Sequence, residues 1–283
     1  MFDWDCFGDP ELEDAAQGGP EEATAGSGEP FSRRELHAAE LRRPLPGLGG
    51  RPIRMLCFHG ASSNSQITKL QLMRLNMLAK GQLELLFVDG AFEASSEGPA
   101  GQTLLLNKMQ FPQFEHFYDY ARNPTIDGVC NAKPLVRTYE ALDEALAHLR
   151  EQAARLAPID GTWGFAMGSD ISSLAVAAGL AGCAPEFAGL RFAIHLCSGR
   201  PGWRHQRPEL FEEPLRLPNL IGGGGAADID VDGNPRLWDR ISELYAGSEF
   251  IEHGDGHMPF PRQAADKTAF AQRMLDFIVA ACG

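Results

Sequence analysis

Gly164-Phe165-Ala166-Met167-Gly168 has the spacing of G-x-S-x-G, with alanine where that motif places its serine. In the motif a strand runs into a helix through a strained turn, which lifts a nucleophilic hydroxyl above the sheet. The flanking glycines are required because a side chain there would collide with neighbouring backbone. The chemistry such a turn serves is acyl transfer. It needs a nucleophile, a histidine base, an acid that orients the histidine, and backbone N–H groups for the oxyanion. A methyl group cannot attack an acyl carbon, so the nucleophile position, Ala166, lacks the key atom. The other parts follow in the order nucleophile, acid, histidine. Asp228 ends the turn Gly225-Ala226-Ala227-Asp228, and His257 lies in His253-Gly254-Asp255-Gly256-His257-Met258-Pro259. His59-Gly60-Ala61, after the first apolar run, places the Ala61 N–H as one oxyanion donor; the Met167 N–H, just after the nucleophile position, is the other.

Several of these residues have competing readings. Asp228-Ile229-Asp230-Val231-Asp232-Gly233, with Asp239 at the twelfth position, resembles a calcium-loop pattern. Gly222–Gly225 cannot form the incoming helix that such a loop needs, and Pro235 and Arg236 suit it poorly. Asp230 is the second candidate for the acid and His253 for the base. His59 reads as a structural hydrogen-bonding residue beneath the oxyanion loop. The glycines at 222–225 read as a tight turn, since no Gly-Lys-Ser/Thr follows to make a phosphate cradle. Ser169 stands one helical turn beyond Ala166 and is expected to face elsewhere.

These residues are positioned by alternating strands and helices. Apolar runs at Ile53–Phe58, Leu83–Asp89, Thr162–Phe165, Leu190–Cys197, Pro218–Gly222 and Ser248–His253 read as strands. Helical periodicity covers Ser65–Lys80, with Gly81 as its stop, then Arg137–Leu156 and Arg262–Ala281. The alternation predicts an α/β fold with a mostly parallel central sheet and helices on both faces. Each candidate site residue then falls at a strand's carboxyl end, where such sheets bind ligands. Gly90–Val136 is rich in Gly, Pro, Asn and aromatics and has no sustained period. It reads either as a lid-like insertion walling the substrate or as a loop packed on the rim.

Composition narrows the function further. The chain has 283 residues, 44% hydrophobic and 22% charged, as in ordinary globular proteins. No apolar run reaches the ~18 residues of a membrane span, and the acidic start Met-Phe-Asp-Trp-Asp is unlike a signal peptide. The six cysteines show no paired metal spacing and read as reduced, mostly buried thiols, which suggests a cytoplasmic setting. The net charge is −13, and nine acids precede the first basic residue, Arg33. That balance argues against nonspecific nucleic-acid binding. Residues 1–50 read as an acidic, disordered tail that cannot offset its ordering entropy, or as an interaction tail anchored by Phe2, Trp4 and Phe7.

Five segments in order carry a resemblance: Leu56-Cys57-Phe58-His59-Gly60, Leu85–Asp89, Pro158–Gly161 running into Gly164–Gly168, Ala193–Gly199, and Gly256-His257-Met258-Pro259. On these the stretch from Ile53 to Gly283 resembles the FSH-type family of serine hydrolases, within the α/β-hydrolases. The resemblance implies a hydrolase of small carboxylesters or thioesters, with Asp228 as acid and His257 as base. No metal or organic cofactor is implied. The chain departs from the family at Ala166, and Gly222–Gly233 is unusually rich in glycine and aspartate. It is therefore expected to be inactive as written, through a substitution made to trap ligand or through natural loss, and active once serine is restored. The alternative is a non-catalytic pseudoenzyme that binds an acyl ligand or a protein partner.

Overall fold

The computed structural model describes residues 50–96, 100–126, 137–229 and 237–283. The tail reading of residues 1–49 and the acid candidate Asp230 therefore lie outside the described residues. Six parallel strands form the central sheet: β1 (Ile53–Phe58), β2 (Leu83–Val88), β7 (Gly161–Phe165), β8 (Phe192–Leu196), β9 (Asn219–Gly223) and β10 (Glu249–Glu252), in the order β10-β9-β8-β7-β1-β2. Chain order reverses between β1 and β7. That switch point is where open α/β sheets place their ligands, and both His59-Gly60-Ala61 and the 164–168 turn leave the sheet there.

Alternation along β1 sends residues to two cores. Ile53, Met55 and Cys57 pack with Trp163, Ile194 and Leu220 beneath α2 (Met73–Ala79) and α7 (Ala264–Cys282), which contribute Leu75, Ala79, Phe270, Met274, Phe277 and Ile278. Leu56 and Phe58 face the opposite core with α4 (Leu142–Leu156) and α5 (Met167–Leu180). α5 is buried on nearly every side, and its second half, Leu174–Leu180, is apolar all round, as in a helix enclosed by protein.

Three expectations are corrected. The helix expected over Ser65–Lys80 is two helices, α1 (Ser65–Gln71) and α2, divided at Leu72. Asn64 caps the first, its Oδ1 accepting from Ile67 N–H at 2.9 Å; Lys80 and Gly81, both at positive φ, end the second. The helix expected over Arg137–Leu156 starts only at Leu142, where its apolar stripe starts. Arg137–Glu140 is instead a strand, β6, antiparallel to β5 (Arg122–Ile126), and Ala141 at φ 57° makes the turn between β6 and α4. The aperiodic stretch after Gly90 contains β3 (Phe92–Glu93), α3 (Ala100–Gln110) and β4 (Tyr118–Asp119) as well as β5; residues 97–99 and 127–136 of it lie outside the described residues. β6 is tied to α5 through buried Asp170. Its carboxylate accepts from the Tyr139 hydroxyl at 2.5 Å, Arg137 Nη1 at 3.4 Å and Gly199 N–H at 3.2 Å.

Two fully buried histidines make the fold sensitive to acid. His195 on β8 pairs through Nε2 with the Tyr245 hydroxyl at 2.6 Å, and burial depresses its pKa to about 3. Burial likewise lowers His59 to about 4. The unfolded chain protonates both near pH 6.5, so their stabilising contribution is complete above that pH. It is lost as pH falls from about 6.5 towards 4, because the unfolded state then binds more protons. Denaturant titrations of His195→Gln across this window are expected to show a shallower pH dependence than the parent, by up to about 1.4 kcal/mol per pH unit.

Candidate active site

Ala166 sits between β7 and α5 with φ 51° and ψ −118°, a backbone region that costs a side-chain-bearing residue about 1–3 kcal/mol. The surroundings enforce it. Ala166 N–H donates to Leu196 O at 2.9 Å, and its carbonyl accepts from Ser169 and Asp170 at 3.0 and 3.3 Å. A Cβ on Gly168 would lie 2.4 Å from His59 O, and one on Gly164 2.5 Å from Gly168 O, so helix and strand meet backbone to backbone. Ser169 is fully buried, its hydroxyl 2.7 Å from Gly164 O and 3.0 Å from Leu196 O while it accepts from Leu196 N–H at 2.9 Å. It braces β7 against β8 and is turned away from the turn's crest.

The other two candidate residues come together. His257 Nδ1 is 2.8 Å from Asp228 Oδ1, with the carboxylate buried and the imidazole a quarter exposed. The His257 ring packs against Phe165, the residue before Ala166, at 5.1 Å between centroids. His253, the other candidate base, is engaged elsewhere: Nε2 pairs with Met258 O at 3.0 Å and Nδ1 accepts from Asp255 N–H at 3.3 Å. Burial holds its pKa down. The glycines at 222–225 serve this pairing. A Cβ on Gly224 would lie 1.7 Å from Gly256 O, and Gly225 turns at φ 64°. The acid-bearing and histidine-bearing loops thus touch through bare backbone. Of the calcium-loop residues, Asp230 and Asp232 lie outside the described residues, and Asp228 is the partner of His257.

The Ala61 loop is held from three directions. His59 Nε2 accepts from Gly90 N–H at 3.0 Å, so Nδ1 carries the proton and donates to Gly60 O at 2.7 Å. His59 N–H donates to the Tyr120 hydroxyl, which donates to Val88 O. Asp119 accepts from Ser62 N–H at 2.6 Å, and Asn107 Nδ2 donates to Ser62 O at 2.7 Å and Ala61 O at 3.5 Å. Burial pushes the Asp119 carboxyl up, partly offset by its Ser62 bonds. Asn107, Asp119 and Tyr120 escaped the sequence reading because they lie in the aperiodic insertion; the alternation Tyr118-Asp119-Tyr120 was the one signal present. Met167 is the first residue of α5, so its N–H has no acceptor within the helix.

Among the described residues one group has metal-ligand potential: Cys197, Asp228 and His257 offer donor atoms within 4.8 Å of one another. The fit is poor. His257 Nδ1 and Asp228 Oδ1 are in direct contact, and Cys197 Sγ lies 3.2 Å from Met258 O as donor. Burial, then the Asp228 charge, push the Cys197 thiol well up.

A parallel sheet with this elbow at its switch point, followed by an acid and then a histidine from later strands, defines an α/β-hydrolase. The family model described as Serine hydrolase (FSH1) matches residues 50–270, and the chain belongs to that family. Its fold is shared with Zea mays acyl-protein thioesterase 2 (14% identity, TM-score 0.52, covering 82% of this chain and 95% of that one) and with Arabidopsis thaliana SOBER1 (13%, 0.52, 82% and 100%). No curated protein matches the sequence. No described helix is long and apolar enough to cross a membrane.

The Gly224–Gly256 contact is open to test. Gly224→Ala is expected to push the Asp228 and His257 loops apart, lowering stability by about 1–3 kcal/mol as an overpacked site. The same change placed in an Ala166→Ser background is expected to abolish ester hydrolysis. Thermal unfolding and ester assays read the two effects.

Proposed function

We propose that this chain is a serine-hydrolase scaffold for small carboxylesters or thioesters, silenced by the absence of the nucleophilic hydroxyl at Ala166, which binds its acyl ligand without cleaving it. One observation carries the reading: the 2.8 Å contact between His257 Nδ1 and Asp228 Oδ1, formed beside a complete but serine-less elbow. The thioester part of the proposal draws on the description of the maize neighbour as an acyl-protein thioesterase. The insertion at about 90–136 would form a wall of the substrate site.

With serine at 166 the reaction is a double displacement. The serine hydroxyl gives its proton to His257 Nε2 and attacks the acyl carbon, while Asp228 holds the imidazole tautomer and steadies the imidazolium. The N–H groups of Ala61 and Met167 stabilise the oxyanion. Collapse expels the alcohol or thiol, which takes the proton from His257. Water, activated by the same histidine, then releases the acid.

Ala166→Ser is expected to gain hydrolysis of short p-nitrophenyl esters and labelling by a fluorophosphonate, both absent from the parent. The gain in turnover is expected to be several orders of magnitude, since loss of the serine costs ~10⁶ in subtilisin. A second change, His257→Ala, should remove it. Silence of Ala166→Ser in both assays, with the fold intact, would overturn the reading and leave a scaffold that only binds.

A further inference from the structure

Nine large hydrophobic side chains are exposed among the described residues, and six of them lie on three consecutive helices: Leu70 on α1, Met73 and Met77 on α2, and Leu105, Leu106 and Met109 on α3. Met73 and Met77 follow at the i, i+4 spacing of one stripe on α2, as do Leu105 and Met109 on α3. α1 and α3 are joined on their inner sides, where Ile67 and Leu104 share an apolar cluster with Phe111 and Phe117. The charge on these helices is one-sided. They carry Lys69, Arg74 and Lys108 and no acid, and Lys80 ends α2, in a chain whose net charge is −13. Lys69, Lys80 and Lys108 are exposed and pair with no acid among the described residues. An apolar, basic surface of this kind calls for an acidic partner with large hydrophobic side chains.

The same chain holds one. Residues 1–32 contain nine acids and no Lys or Arg, with Phe2, Trp4 and Phe7 among them. The described chain also begins at the foot of this surface, where Ile53 N–H donates to Gln82 O at 2.9 Å, two residues after Lys80. The intervening residues 33–49 can cover the distance, since a chain of that length reaches up to about 55–60 Å when extended. We propose that residues 1–32 dock in cis on the face made by α1, α2 and α3, with their acids against Lys69, Lys80 and Lys108 and their aromatic residues on the Leu and Met side chains. An anionic bilayer would satisfy the same lysines, but it would repel the chain's overall charge. The tethered segment, by contrast, acts at a millimolar effective concentration. Docked there, it covers the outer side of α3, whose inner side holds the Ala61 loop through Asn107.

Cleavage of the full-length protein by a glutamate-specific protease tests this, through the rate of cutting at Glu11, Glu13, Glu21, Glu22 and Glu29. The comparison variants are Lys69→Glu/Lys80→Glu/Lys108→Glu and Phe2→Ser/Trp4→Ser/Phe7→Ser. Cutting tracks the undocked population, so the parent is expected to be cut about fivefold more slowly than either variant in low salt. Salt at about 0.5 M, which shortens the screening length to a few ångströms, should erase most of that protection. Equal rates for all three proteins in low salt would overturn the proposal. Zero-length carbodiimide cross-linking of mixed light and heavy isotope-labelled protein provides the second arm. Links from Lys69, Lys80 or Lys108 to the tail acids are expected within one chain. Links of which about half join a light to a heavy chain in an equimolar mixture, the random-pairing share, would assign the face to a second copy. Retention on phosphatidylserine vesicles with an unprotected tail would assign it to a membrane. Either result refutes the cis contact.

Discussion

An alanine at φ 51° and ψ −118° persists only because its neighbours leave it no alternative. Leu196 O holds its N–H, the first turn of α5 holds its carbonyl, and two glycines bring strand and helix to backbone contact around it. The buried Ser169 hydroxyl fixes the spacing of β7 and β8 beneath. This one backbone conformation sets the direction of α5, and with it the place where the Met167 N–H points. It also decides where any side chain at 166 would stand relative to the imidazole of His257. The strain is the same whether or not a hydroxyl is present.

The part of the site that faces β1 is built differently. There the chain after Phe58 is irregular, with Ser62 at φ 49°, and has no regular ladder of its own. Its polar groups are satisfied by Asn107, Asp119 and Tyr120, which arrive from the insertion between β2 and β6. His59 contributes a neutral ring with its tautomer fixed at both nitrogens. The insertion is therefore a structural partner of the Ala61 loop.

The central strands and the elbow were legible in the sequence because each is local: a short apolar run, a five-residue spacing, a glycine where backbone must approach backbone. The order of Asp228 and His257 was legible for the same reason, since each closes a loop directly after a strand. What could not be read were partnerships between single polar residues far apart in sequence. Asp119 and Ser62 are 57 residues apart, and Asp170 and Tyr139 are 31 apart; neither pair leaves a periodic trace. The strand Arg137–Glu140 was hidden by the strong helix beside it, whose stripe begins only at Leu142. Leu72 divides α1 from α2 without a glycine or proline to announce it.

The contact between Gly224 and Gly256 separates two kinds of tolerance that usually go together. The backbone at the crest of the elbow is held with a bare methyl at 166, so that part of the frame does not depend on a reactive side chain. A glycine whose missing Cβ is occupied by a neighbouring carbonyl admits no smaller or gentler replacement. In this site, then, the positions least able to vary are those that contribute no reactive atom.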